Sequence, residues 1–273
     1  MSLPLPKKIR KNFHIFDAPN LSLKYYKWAT FYKDGFTELK KDKHYFFDSF
    51  VKLSKGTDYH DAFSTRKELL NEIGLSFNLT TASRLLFGIG YQHPAEIGFM
   101  FDWSTGLPII PGSSLKGMAL DVARYVVKNE VEVEDLSLDD GEKIEIFGSE
   151  HDAKEKTGGN VIFLPACPIT ENNRPFLEVD VMTPHYQPYY SDPENNPPAD
   201  WHSPVPLNFL TVPEGIRYCF RLADRRNLTD TSAPCLTNAE KLLRHALTEF
   251  GVGAKTSVSY GYFKDAPVSL NAV

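Results

Sequence analysis

The chain has 273 residues, 42% of them apolar, and sets 30 lysines and arginines against 35 aspartates and glutamates for a formal net charge of -5. That apolar content buries one large core or two modest ones, and with no uniform break in composition it favours one elaborated domain. The negative balance excludes a protein that coats nucleic acid by bulk electrostatics alone, though it leaves room for a local basic groove.

No run of about 18 apolar residues is available to span a bilayer, and the start, MSLPLPKKIRK, lacks the apolar core of a signal peptide. Cys167, Cys219 and Cys235 are widely spaced with no Cys-x-x-Cys, which suggests neither a disulfide framework nor a zinc site. The expectation is a cytoplasmic protein with no membrane partner, no metal and no cofactor. Aromatic residues make up 13% of the chain, enough for some to serve as stacking or docking surfaces.

In chain order, Lys7, Lys8, Arg10 and Lys11 make a basic arm that is either solvated or phosphate-seeking. From Asn20 to Asn71, NLSLKYYKWATF and KDKHYFFDSFVKL read as parts of two or three helices. Residues 1–71 are therefore expected to form an arm and helical extension packed on a core domain of residues 72–273. At Leu75 the period changes, because Leu75, Phe77 and Leu79 alternate with polar residues as in a half-buried strand. RLLFGIGY and residues 97–103 continue the β character, with Gly88, Gly90 and Gly98 marking bends or close backbone approach.

Gly106 to Gly117, GLPIIPGSSLKG, reads as strand, tight glycine turn and helix. Leu115, Met118, Ala119, Val122, Ala123 and Val126 recur behind it at helical spacing, which carries the helix to Lys128. The acidic stretch from Asn129 to Glu145 is expected as a solvated linker inside an insertion of 129–159.

Val161 to Leu164 and Leu177 to Met182 predict further strands, the second with Glu178 and Asp180 on its polar face. An insertion of 184–206 combines prolines with Tyr186, Tyr189, Tyr190 and Trp201. Leu207 to Val212 and Ile216 to Leu222 flank Pro213-Glu214-Gly215 as a hairpin would, leaving Arg217, Cys219 and Arg221 on one face. A second core helix opens on the capping box Thr237-x-x-Glu240 and ends at Gly251 as an αL cap, before GVGAKTSVSYGYF turns into a last strand. The order from Leu75 is βαββαβ with hairpins and loops inserted, an α+β fold of the ferredoxin-like (RRM-like) kind.

Mononucleotide and dinucleotide motifs fail in detail. Gly112 and Gly117 have the Walker spacing, but Met118 stands where lysine must be; GVGAKTS has Lys255, yet Ala254 precedes it and no helix follows. GIGYQHPA lacks the third glycine of a dinucleotide fingerprint. His185 and His202 are the one pair suited to general acid–base work, the alternative being loop histidines satisfied locally. What remains are two glycine-rich lysine turns, PGSSLKG and GVGAKTS. Each either brings backbone N–H groups and one ammonium to a phosphodiester backbone, or simply turns the chain with its lysine in solvent.

Four segments carry a resemblance that runs from Asn20 to Phe263: NLSLKYYKW, GLPIIPGSSLKGMALDVAR, VDVMTPHYQPYY with its downstream PVPLNFLTV, and GVGAKTSVSYGYF. Together they resemble the RAMP superfamily of CRISPR-associated proteins, and within it the sixth subunit of the Cmr module of type III-B effector complexes. Leu120 departs from the pattern, where relatives often carry arginine; Arg124 is the nearest substitute. The resemblance implies a RAMP ferredoxin-like fold and a non-catalytic scaffold in antiviral defence. Such a scaffold caps the backbone of the complex and holds CRISPR RNA and its paired target RNA. Its protein partners would be a backbone RAMP subunit, a small helical subunit and another RAMP cap subunit.

On that reading Ser113, Ser114 and Lys116 in the first turn, and Gly253, Lys255, Thr256 and Ser257 in the second, hold RNA phosphates. Arg217 and Arg221 extend the track along an exposed strand face. Tyr186, Tyr189, Tyr190 and Trp201 either stack on bases or dock a neighbouring subunit, the latter favoured because prolines preorganise the loop. Two alternatives stand beside it. One is a RAMP endoribonuclease processing CRISPR RNA without metal, with His185 or His202 as base; the other is a protein adaptor with no RNA contact.

Overall fold

The computed structural model describes residues 20–27, 43–55, 58–93, 95, 97–149, 155–170, 174–201 and 203–265. The basic arm and His202 lie outside the described residues.

Three helices come first, α1 (Leu21–Tyr26), α2 (Lys43–Leu53) and α3 (Asp58–Leu69). Asn20 caps α1, its Oδ1 accepting from the Leu23 N–H at 2.9 Å. Strand β1 (Leu75–Thr81) follows, then α4 (Gly112–Val127) and α5 (Asp140–Phe147). After these come β2 (Val161–Phe163), β3 (Cys167–Pro168), β4 (Glu178–Met182), the short helix α6 (Gln187–Ser191) and β5 (Leu207–Thr211). The chain continues with β6 (Arg217–Asp224), α7 (Pro234–His245) and β7 (Phe263–Asp265).

The main sheet runs β2-β6-β1-β7, every neighbouring pair antiparallel, with β3 added beside β6. Strands β1 and β2, joined through α4, have β6 between them; β6 and β7, joined through α7, have β1 between them. Two interleaved split βαβ units of this kind are the ferredoxin-like arrangement. Register follows the apolar alternation: Phe77 faces Phe220 across the ladder, their rings stacked at 5.3 Å, and Leu75 faces Leu222.

Helices α4 and α7 pack against each other and on the Phe77 face of the sheet, where Arg244 of α7 lies 4.4 Å over the Phe77 ring. Their buried stripes, Leu115, Ala119, Val122, Ala123 and Val126 on α4 and Leu236, Ala239, Leu242 and Leu243 on α7, are those that helical spacing predicts. A second, two-stranded sheet pairs β4 with β5, and α2 packs on it through the side that carries buried Phe46, Phe47 and Phe50. Both sheets share one continuous apolar cluster.

Several expectations need correction, among them the strand before the first lysine turn, where Leu107 to Ile110 make only the isolated bridges Phe101 with Pro108 and Ile110 with Ala166. Leu207 to Val212 and Ile216 to Leu222 are not a hairpin: β5 pairs with β4 and β6 with β1. Pro213-Glu214-Gly215 instead carries the chain between sheets, held by Thr81, whose hydroxyl donates to the Pro213 carbonyl at 2.8 Å and whose carbonyl accepts from Gly215 N–H. Residues 84–103 form only isolated bridges, Leu85 with Val212 and Phe101 with Pro108, because no strand partners this segment along its length. The acidic linker contains α5, nucleated by a reciprocal capping box between Asp139 and Glu142.

Thr237 does not cap α7, which begins a turn earlier with Pro234 in its first position, where the missing N–H costs nothing. Gly251 does close that helix with positive φ, but after a wider π turn, Ala246–Phe250, and with ψ of 164° rather than the αL value.

Candidate nucleic-acid interface

The first lysine turn is fixed by contacts on three sides. Gly106 has φ of +73°, and a Cβ there would come within 2.7 Å of the Leu21 nitrogen, so α1 sits directly on the glycine. Asp102 Oδ1 accepts from the Ser104 and Thr105 N–H groups, both at 2.8 Å. Asn20 Nδ2 donates to the Trp103 and Ser104 carbonyls at 2.9 and 3.1 Å. Ile110 then exchanges both backbone hydrogen bonds with Ala166.

At Gly112 a Cβ would stand 2.0 Å from the Phe163 carbonyl oxygen, so α4 starts against the end of β2 in a space only glycine fits. Pro111 caps the helix, and its carbonyl accepts from the Ser114 and Leu115 N–H groups. Ser113 is exposed and Ser114 and Lys116 are half-buried in the first turns of this 16-residue helix, at the positive end of its dipole. Met118, where a mononucleotide site needs lysine, packs on the core.

The second turn follows the same plan. Gly253 has φ of +96° and a Cβ there would lie 2.5 Å from the Leu86 carbonyl oxygen, which accepts from Ala254 N–H at 2.8 Å. Lys255 and Ser259 are both left-handed, with φ of 64° and 69°. The Lys255 ammonium lies 5.8 Å from the Phe209 ring centre and 5.7 Å from that of Tyr260, so two aromatic faces hold it in place. Thr256 is half-buried, and Gly253 and Ser257 are exposed.

Beside Lys255 is a polar lock that sequence reasoning missed. Arg84 Nε binds Glu178 Oε1 at 2.6 Å, Arg84 Nη1 reaches Asp180 Oδ2 at 3.4 Å, and the Tyr260 hydroxyl donates to Asp180. Burial, then the Asp180 carboxylate, pushes the Tyr260 hydroxyl up to about 12, so it stays a donor. The lock engages both β4 carboxylates next to the turn. The acidic alternation on β4 was its visible signal, but not its partners.

One segment connects the turns: Leu86 binds Ala254, Phe87 accepts from Met100 N–H at 3.0 Å, and the chain then runs through Gly106 to Gly112.

The remaining predicted residues separate. Arg221 is 8% exposed, and its guanidinium donates to the Ile73 carbonyl. The face expected to be open there is covered by the end of α3, whose Arg66 donates to the Pro165 carbonyl at 3.0 Å and lines a small pocket with Arg221, Cys167 and Cys219. Arg217 is half-buried beside Ile169, Thr170 and Arg174. The two arginines therefore do not form an exposed track.

Tyr186, Tyr189, Tyr190 and Trp201 lie in the long connection at the end of the β4–β5 ribbon, closed at its base by Val205 N–H to the Pro184 carbonyl at 3.2 Å. Tyr190 and Trp201 are exposed by 72% and 80%, Tyr186 and Tyr189 half-buried. His185 is exposed in the same connection. Among the described residues, no group of three His, Cys, Asp or Glu side chains is placed to hold a metal ion, and no helix is long and apolar enough to cross a membrane.

A family model of the RAMP superfamily matches residues 78–264, and the chain belongs to that superfamily. The CRISPR system subunit Cmr6 of Pyrococcus furiosus is 31% identical, with 74% of this chain and 72% of that relative covered. Cmr6 of Saccharolobus solfataricus is 28% identical, with 76% of this chain covered and 64% of that relative, just under two thirds of its length. A chain in the cryo-EM structure of the type III-B Cmr-beta complex bound to cognate target RNA superposes with a TM-score of 0.55 at 25% identity, covering 83% of this chain and 73% of that one. Within the superfamily, this is a Cmr6-type subunit of the type III-B Cmr system.

Proposed function

We propose that the chain is a non-catalytic RNA-holding subunit of a cytoplasmic type III-B Cmr complex in antiviral defence. It caps the backbone and grips CRISPR RNA and target RNA by their phosphates. The observation that carries this reading is the pair of lysine turns, each forced by a glycine against a neighbouring carbonyl and both anchored on the 84–111 segment. Ser113, Ser114 and Lys116 bind phosphate at one, and Gly253, Lys255, Thr256 and Ser257 at the other. Fixed N–H groups and a held ammonium bind a polymer backbone without reading its sequence. A chain of net charge -5 needs such local sites, because its overall field repels RNA.

The aromatic connection after β4 serves a different partner. Tyr190 and Trp201 are exposed on a loop stiffened by prolines, which suits docking of a neighbouring backbone RAMP subunit. The small helical subunit and another RAMP cap subunit complete the set of partners.

Binding of single-stranded RNA to the full chain, titrated at several salt concentrations, tests the phosphate sites. Lys116→Ala and Lys255→Ala should each weaken binding equally across RNA sequences and lower the log–log salt slope by roughly 0.7. Repeat RNA in the same mixtures, without added metal, should stay intact. Variants that bind like the wild type would remove the phosphate assignment. Cleavage abolished by His185→Ala would support the endoribonuclease instead.

A further inference from the structure

Beside the first turn lies a cleft of about 540 Å³ whose walls include Tyr26, Tyr91, Met100, Trp103, Ile109 and Pro111. Its volume is that of a small-molecule site, which spans roughly 300–1,000 Å³. Tyr91 is 49% exposed and Trp103 65%, so the cleft displays large aromatic faces that folding has not buried.

The Trp103 ring is held, not loose. The Trp103 carbonyl is fixed by Asn20, and the next residues are tied to Asp102. The Trp103 ring packs on Tyr26 at 5.4 Å, and the Tyr26 hydroxyl is held by the Phe99 carbonyl. A platform of this kind binds a flat partner with little ordering cost.

We propose that the cleft takes one unpaired base of the RNA strand whose phosphates lie on the lysine turns, an inference that rests on the RNA-holding reading above. Three observations choose a base over other occupants. First, Pro111 is both a wall of the cleft and the cap of α4, while Met100 on another wall is bonded to Phe87, beside Gly253. The cleft therefore adjoins the first turn and, through Met100 and Phe87, reaches toward the second. Second, Asp102 lines the cleft as a carboxylate, which repels phosphate from the interior and leaves it for the neutral base. Third, Gln92 on the wall both donates and accepts, as the edge of a base requires, and the Tyr91 hydroxyl and Trp103 indole N–H add polar atoms to the aromatic lining. Stacking on tyrosine and tryptophan tolerates any base.

The test compares a single-stranded RNA with an abasic strand of equal length and charge, each titrated into the full-length protein. The wild type should prefer the base-bearing strand by roughly tenfold. Trp103→Leu and Tyr91→Leu should lose that preference while keeping the salt slope, whereas Lys255→Ala should lower the slope and keep the preference. Equal binding of the two strands by the wild type, or an undiminished preference in Trp103→Leu, overturns the proposal and leaves the lysine turns standing. A Trp103→Leu variant that keeps the preference but loses a protein subunit from the assembled complex assigns the cleft to protein and overturns it too. No binding of either strand removes the RNA-holding reading itself, and this proposal with it.

Discussion

A methyl group at Gly112 would lie 2.0 Å from the Phe163 carbonyl oxygen, and one at Gly253 2.5 Å from that of Leu86. At both positions the requirement is close approach of two backbones, which then fixes where Lys116 and Lys255 emerge. His93 shows how another single residue sets a solution property. Its Nδ1 accepts from Ala95 N–H at 3.0 Å, so Nε2 carries the proton and donates to the Tyr25 carbonyl at 2.8 Å. The ring stacks on Tyr25 at 3.9 Å, and burial drives its pKa down to about 4 against the opposing Tyr25 bond.

In the unfolded chain His93 returns to about 6.5. Only the unfolded state then takes up the proton between these values, so stability is intact above about pH 6.5 and falls as pH drops toward 4, by up to about 3 kcal/mol. Thermal unfolding across that range should show the decline, and His93→Phe should flatten it. An equal decline in the variant would mean that other groups cause it.

Among elements, those with a strong internal period were readable. Helix α4 ends where its apolar stripe does, and β1 alternates through Leu79 before Thr80 and Thr81 are buried as well. Elements decided by distant partners were not. A Pro-Glu-Gly turn specifies a reversal, not which strands pair; here Thr81 ties the turn to the end of β1, beside β6. Arg221 sits on an alternating strand, but its partner is the Ile73 carbonyl, beyond any local pattern. In α5, acidic composition concealed a capping box that Asp139 and Glu142 spell out.

The lysine turns were legible because each is one contiguous run. The cleft was not, because Tyr26, Tyr91 and Trp103 meet only after folding. The lock that joins the second sheet to the Lys255 turn makes an element-level prediction. Tyr260→Phe deletes the hydroxyl that donates to Asp180 but keeps the ring beside Lys255. It should cost about 1–3 kcal/mol in urea unfolding, with RNA affinity nearly unchanged. Preserved stability with a large loss of RNA affinity would mean that the hydroxyl contacts RNA.

On the scale of the whole molecule, two interleaved βαβ units provide a rigid sheet, and the functional features hang from its ends and edges. One lysine turn rests on the end of β2; the other, beside Leu86, is tied to the β4–β5 ribbon through Tyr260 and Asp180, and the Tyr190–Trp201 connection lies at the end of that ribbon. The proposed function assigns RNA to the turns and protein to the connection. Photocrosslinking of the assembled type III-B complex, with peptides mapped by mass spectrometry, tests that division most directly. The account predicts RNA adducts on residues 106–117 and 251–262, and protein adducts on 184–206. RNA adducts confined to 184–206, with both lysine turns joined only to protein, would contradict it.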